Sequence, residues 1–505
     1  MEERQTTKND RLSHLEPGCL TGAESQVRSQ RPPRGTAARS ADWVRTEYNS
    51  QSAPGSFYSL RSSQQARGAF LYTTGHVTVV AAMALILTLI SIVLAYFSPA
   101  DMMPSLTPYH IQQIILLPAL GASLISMNMR RASLPWPQYP LLLGLWCAAV
   151  VSVLSKFWLR NAVSAFIVVG LLVCIYSLVF LNAFTLTRVK VLCLVVSLCA
   201  IAMAVQAIFA YHTGYMADKL LNMRVEEGFV LYKRVCGLGV LHDPNDFAQF
   251  LLVGLTFLGV FWSKNHAVGS IVLLGLPAAI LIYATYLTFS RGALFGLVVV
   301  AFVIISRRIG AVPSAVAAGL LFMLMLFMNF GGGRQISLQE GSAAGRIVAW
   351  GAGLAQLRRF PVFGAGFAQF TEYNDLTAHN SFVLCFAELG LVGYFFWLAL
   401  ILVTVLGLEG LNKIPVKTPE DETFARCAMV IRAALYGFLA TAWFLSRTYT
   451  ETLYILLALG AVLIEMRRPV YPWLAISMRR WVPVTLAFQA VSVVIFYLTV
   501  RLRSL

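Results

Sequence analysis

Residues 378–400 read AHNSFVLCFAELGLVGYFFWLAL, a histidine and an asparagine at the head of an otherwise apolar stretch. An α-helix rises about 1.5 Å per residue, so roughly 20 apolar residues cross the hydrocarbon of a bilayer. This stretch is long enough and carries a single acid, Glu388. It therefore reads as a transmembrane helix that opens on His379 and Asn380, directly after the most polar loop in the chain. Why a hydrophobic span should begin this way organises the rest of the reading.

Working outward, 58% of the 505 residues are hydrophobic and 12% are charged. A water-soluble chain is roughly 25% charged. No single aqueous core can wrap so much apolar surface, so lipid must be the solvent for most of it. Further candidate spans start near residues 77, 110, 138, 161, 191, 245, 268, 293, 311, 380, 427, 452 and 483, the last being the marginal one. The expectation is an all-α polytopic bundle of about 12 or 13 transmembrane helices over residues 76–505. No short repeat period is visible, which excludes a solenoid.

Residues 1–75 differ. They are rich in Arg, Ser, Gln and Pro without periodicity, and read as a disordered basic cytoplasmic tail. No short apolar stretch with a cleavage site follows the charges, so the tail does not read as a signal peptide. The net charge of +16 could suggest nucleic acid. Because Lys and Arg are scattered over the tail and many loops, contact with anionic lipid is the better account, with no nucleic-acid partner. Of the eight cysteines, Cys236 alone falls in an external loop, and there is no CxxC pair; the set reads as small hydrophobes, neither disulfide framework nor metal site.

Orientation follows Lys and Arg in short loops. With the tail inside, internal loops carry Arg130-Arg131, Arg188, Lys190, Lys264, Arg307-Arg308 and Arg467-Arg468, against Lys156, Arg160, Arg291 and Arg447 outside. Two long loops, 212–243 and 331–379, then fall outside, and both are rich in arginine.

The first long loop ends RVCGLGVLHDPNDFAQF. Asp243 with Pro244 after it is an ordinary helix N-cap, preferred here over a catalytic carboxylate or a metal-binding run. Arg234 is not needed for a cap. TFSRGALFGL, residues 288–297, places Arg291 in a tight turn between spans, where it either snorkels to lipid phosphates or binds substrate. The second long loop contains a helix from Ser342 to Arg359, with Ile347, Trp350, Leu354 and Leu357 on one side; it should lie on the membrane or on the bundle mouth. It stops at Phe360-Pro361, and Gly364-Ala365-Gly366 turns the chain back. Arg346, in its first turn, opposes the helix dipole and makes better sense sharing an anion with the free backbone N–H groups. Arg358 and Arg359 suit the dipole.

His379 then joins Arg234, Arg346 and Arg291 in one outer region, with Asn380 beside it as a candidate substrate contact. Glu388 is nine residues on and faces away; as an intramembrane acid it needs a partner, with Arg432 and Arg447 the candidates. Arginines bind phosphate oxygens in forked geometry, and an imidazole can hold a proton near neutral pH. There is no Ser-His-Asp order, zinc-ligand spacing or P-loop. The set suggests a lipid-linked phosphate or pyrophosphate as leaving group, stabilised by arginine as a metal does elsewhere.

The chain resembles the O-antigen ligase and polysaccharide polymerase superfamily of bacterial envelope enzymes. The likeness lies in four elements in order: RVCGLGVLHDPNDFA, TFSRGALFGL, GRIVAWGAGLAQLRRFPVFGAGFAQF and AHNSFVLCFAELGLVGYFF, together covering residues 230–400. The resemblance implies a multi-pass protein of the bacterial inner membrane with its active site on the periplasmic face. It implies a glycosyltransferase, without metal or cofactor, that moves polysaccharide from an undecaprenyl-pyrophosphate carrier to a glycan or glycolipid acceptor, as in lipopolysaccharide or exopolysaccharide assembly. Arg234 and Arg346 would correspond to the family's pyrophosphate-binding arginines and His379 to its essential histidine; Arg291 matches a recurrent position without an assigned role. The basic tail and the thirteenth span are not explained by it.

Three readings follow. A ligase comes first and a polymerase joining lipid-linked repeat units second, the two differing only in acceptor. A transporter is the distant third: it should show broken spans or buried charge at the midplane, whereas polar residues here gather at the outer boundary.

Overall fold

The computed structural model describes residues 78–97, 105, 111–130, 133–226, 229–263, 265–327 and 341–503. The tail expected over residues 1–75, the internal Arg131 and Lys264, and the Gly-rich exit at 331–340 lie outside the described residues.

Helices α1 (Thr78–Tyr96), α2 (Ile111–Arg130), α3 (Gln138–Leu154), α4 (Leu159–Asn182) and α5 (Leu186–Thr213) come first. After the first long loop follow α6 (Pro244–Leu258), α7 (Ala267–Leu287), α8 (Arg291–Ile309) and α9 (Ala311–Phe327). The second long loop holds α10 (Gly341–Arg359), and the chain ends with α11 (Ser381–Leu411), α12 (Pro419–Ala442), α13 (Glu451–Arg467) and α14 (Met478–Arg503). Among the described residues, ten helices are long and apolar enough to cross a membrane, and α3 and α9 are shorter apolar helices. The protein is a polytopic all-α membrane protein.

Each expected span start has a helix beside it. Three begin earlier than the apolar run, two of them because polar caps extend them. The Thr185 hydroxyl accepts the Arg188 amide at 3.3 Å and starts α5. Thr418 and Asp421 form a capping box at α12, each side chain taking the other's backbone amide. α14 opens on Met478-Arg479-Arg480, ahead of its apolar run.

The first long loop contains an antiparallel hairpin that the sequence analysis did not foresee, β1 (Leu221–Glu226) against β2 (Phe229–Val235). Leu221 faces Val235, both buried, and Asn222 faces Arg234. The signal was present in the apolar runs on either side of Glu227-Gly228.

α11 is the central helix, every side chain from Ser381 to Gly390 being buried. It is broken at Gly390, where φ is 64° and ψ is −167°. A peptide group freed inside lipid must find a partner within the protein. Here the chain after α10 re-enters the bundle and supplies four. Ala365 and Gly366 donate to the carbonyls of Ala387 and Glu388 at 2.8 and 2.9 Å, and Leu391 and Val392 donate to those of Pro361 and Val362 at 2.8 and 3.2 Å. The two glycines of the crossing have left-handed φ, and a Cβ on Gly364 would stand 2.3 Å from the Glu388 backbone.

This crossing also gives Glu388 its partner. Its Oε1 accepts the Phe370 amide at 3.2 Å. Neither expected arginine reaches it: Arg432 pairs with Glu409 at 3.0 Å, and Arg447 pairs with Asp246. The correction has a simple cause, since the re-entrant loop brings backbone donors to the acid that no sequence spacing announces.

Candidate functional site

The site grows from the first turns of two helices. Asp243 caps α6, its Oδ1 accepting the amides of Asn245 and Asp246 at 2.8 and 3.4 Å, with Pro244 at the first helical position. Asn380 caps α11, its Oδ1 accepting the amides of Phe382 and Val383 at 2.9 and 3.0 Å. Its Nδ2 donates to the Trp443 carbonyl at 2.8 Å, and the residue is wholly buried. Asn380 was expected to touch substrate. The structure instead commits both ends of its amide to the fold, because an N-cap at the head of a buried helix must satisfy orphan amides.

Arg234, near the end of β2, is held at two points. Its Nε donates to the Thr288 carbonyl at 2.7 Å, and one terminal nitrogen donates to Asn245 Oδ1 at 2.9 Å. The hairpin, the start of α6 and the α7–α8 turn thus meet on one guanidinium. In that turn the Ser290 hydroxyl accepts the Ala293 amide at 3.3 Å and caps α8, which places Arg291 as its first residue, half-buried.

Phe444, in the turn between α12 and α13, carries the site across to the second long loop. Its ring lies 5.9 Å from that of Phe295 and beside Gly292, one residue after Arg291. The Arg346 guanidinium stands 6.0 Å from the same ring. Arg346 belongs to the first part of α10, which packs on the bundle: Trp350 meets Phe496 edge-on at 5.3 Å and Trp443 at 6.4 Å. Trp350, Leu354 and Leu357 are buried as the spacing predicted, and of the two placements expected for α10, the bundle mouth is the one observed.

His379 has φ 49°, a left-handed backbone that is uncommon for a residue with a side chain, though histidine adopts it more readily than most. Its imidazole is held below the ordinary histidine value, first by burial and then by the Arg346 charge, with Asp243 opposing. At neutral pH the ring is therefore uncharged, able to accept a proton.

The structure thus gathers Arg234, Arg291, Arg346 and His379 at one end of the bundle, from four segments distant in sequence. Two further charged residues lie in contact with these segments. Arg447 forms an ion pair with Asp246, and its own amide donates to Ser381 Oγ at 2.8 Å. The sequence marks Arg447 only as a cation in a short external turn and a candidate partner for Glu388, not as a partner of Asp246; Asp246 passes for a capping residue.

Residues 276–398 match the family model described as O-antigen ligase. This part of the chain is similar to the O-antigen ligase family. The matched stretch is about a quarter of the 505 residues, running from within α7 to within α11, and so contains Arg291, Arg346 and His379. Arg234, Asp246 and Arg447 lie beyond it and join it only through the tertiary contacts above. No curated protein matches the chain.

Proposed function

We propose that this protein is a glycosyltransferase of the O-antigen ligase type. It takes a polysaccharide from an undecaprenyl-pyrophosphate carrier and joins it to a sugar hydroxyl of a glycan or glycolipid acceptor, on the periplasmic face of the bacterial inner membrane. The observation that carries this reading is the convergence of Arg234, Arg346 and His379 from β2, α10 and the head of α11.

In the proposed reaction the acceptor oxygen attacks the anomeric carbon of the donor sugar, and the bond from that carbon to the diphosphate oxygen breaks. The diphosphate leaves with the bonding electron pair, and Arg234 and Arg346, with Arg291 beside them, stabilise the charge. His379 Nδ1 or Nε2 accepts the hydroxyl proton, which its uncharged state permits. The arginines supply the charge stabilisation, so the step as written needs no metal or cofactor.

The break in α11 and the buried Glu388 are features a transporter would use to line a substrate path. Here the break is filled by backbone from the re-entrant loop, with all four hydrogen bonds internal. Transfer is therefore preferred.

The test is a deletion strain complemented with Arg234→Ala, Arg346→Ala or His379→Ala. Each variant should reach the membrane and restore no transfer. Full-length unattached polysaccharide in the deletion strain identifies a ligase, whereas single lipid-linked repeats identify a polymerase. Normal transfer by His379→Ala would remove the histidine from the reaction.

A further inference from the structure

The turn between α12 and α13, residues 443–450, makes five hydrogen bonds to residues 377–381. The Asn380 amide donates to the Trp443 carbonyl at 2.8 Å, and the Ser381 hydroxyl donates to the Leu445 carbonyl at 2.6 Å. Thr377 and Ser446 share a hydrogen bond of 2.9 Å between hydroxyls, and Thr448 donates to the Ser381 carbonyl at 2.7 Å. The Arg447 amide closes the set on Ser381 Oγ. These bonds bracket His379 on both sides in sequence, and the His379 backbone lies in the left-handed region.

The side chain of Arg447 faces the other way, to Asp246. Asp246 has only 5% of its side chain exposed, so its charge depends on that partner. One residue earlier, Asn245 receives Arg234. A continuous set of contacts therefore runs from Arg234 through the first turn of α6 and Arg447 to Ser381 and His379. The carboxylates of Asp243 and Glu451 act on the same guanidinium.

We propose that the α12–α13 turn is a clasp in which Arg447, anchored by Asp246, is a positioning residue that sets His379 at its working distance from Arg234. The assignment goes beyond the transfer reading above but rests on it for the meaning of that distance. Arg447 acts through its neighbours. It ties the α6 turn, which fixes the diphosphate end, to the α11 turn, which fixes the proton acceptor.

The alternative is that Arg447 itself grips the diphosphate, and the two differ in how a second substitution behaves. In the full chain in lipid nanodiscs, Arg447→Met leaves the buried Asp246 charge uncompensated and lets the α11 head shift. Transfer should fall at least about tenfold with donor KM held within about twofold, because a displacement of the order of 1 Å is enough for such a loss. Adding Asp246→Asn removes the uncompensated charge and should recover about threefold or more of the loss, the non-additivity expected of neighbours in one network. The His379 ring, followed by NMR in histidine-labelled protein, should shift its titration in Arg447→Met and move back in the double variant. That signal needs no turnover, so it reads the clasp even if the protein proves not to transfer glycans. A Tm within a few degrees of the parent, by scanning in detergent, shows that each variant is folded. Two results would overturn the proposal. One is a donor KM that rises with the loss of rate and is not recovered by Asp246→Asn; the other is an unmoved His379 titration in folded Arg447→Met.

Discussion

Gly364→Ala tests the architecture at its most constrained point. The backbone there has φ 72°, and an added Cβ would lie 2.3 Å from both the carbon and oxygen of the Glu388 carbonyl and 2.4 Å from the Gly390 nitrogen. All three are backbone atoms of α11, so no rotamer change relieves the overlap. A left-handed alanine costs about 1–2 kcal/mol by itself. The overlap is relieved only by lifting the loop, which breaks the four crossing hydrogen bonds, at about 1 kcal/mol net each. The sum, roughly 5–6 kcal/mol, is comparable with the whole stability of an ordinary domain. The assay is thermal unfolding of purified protein in detergent beside Gly275→Ala, a helical site with nothing within 4 Å of the new Cβ. Gly275→Ala should leave Tm within a degree or two of the parent, and Gly364→Ala should lower it by several degrees or prevent folding, given that the per-residue unfolding entropy makes 1 kcal/mol worth about 1 °C in a chain of 505 residues. A Gly364→Ala protein as stable and as active as the parent would refute the re-entrant packing.

Four further outcomes are expected. Because His379 titrates below its ordinary value, transfer should persist below pH ~6.5 until the ring protonates, and Arg346→Met should raise that value, read from the His379 ring by NMR without turnover. The same depression means that the unfolded chain binds the proton more readily, so the His379 contribution to stability is present above about pH 6.5 and is lost as pH falls through the folded value; a denaturation series in His379→Gln should show a shallower acid loss. Arg234→Lys should retain little transfer, because one ammonium cannot reproduce the separate bonds to the Thr288 carbonyl and Asn245 Oδ1, and the loss should exceed about tenfold in a complementation assay. Asp243→Ala should cost about 1 kcal/mol of stability through the lost cap of α6, read as a modest Tm decrease.

Much of this protein was legible in its sequence. Apolar composition dictated lipid as the solvent, and apolar runs placed a helix within about eight residues of each expected start, ten of these helices being long and apolar enough to cross a membrane among the described residues. Local rules likewise located the helix of the second long loop, its buried Trp350, Leu354 and Leu357, and the cap at Asp243. The capping role of Asn380 was not legible, because a polar residue at the head of a span looks the same whether it meets substrate or caps a helix.

What only the tertiary structure decided are pairings between distant segments. A glycine in an apolar run gives no hint that Gly390 breaks α11, because the break is tolerable only with backbone partners from Pro361–Gly366. Arg447 and Asp246 are ordinary residues in sequence until the chain brings them together. Hydropathy is a property of each segment alone, whereas a hydrogen bond or an ion pair belongs to two, and their meeting is set by how the helices pack.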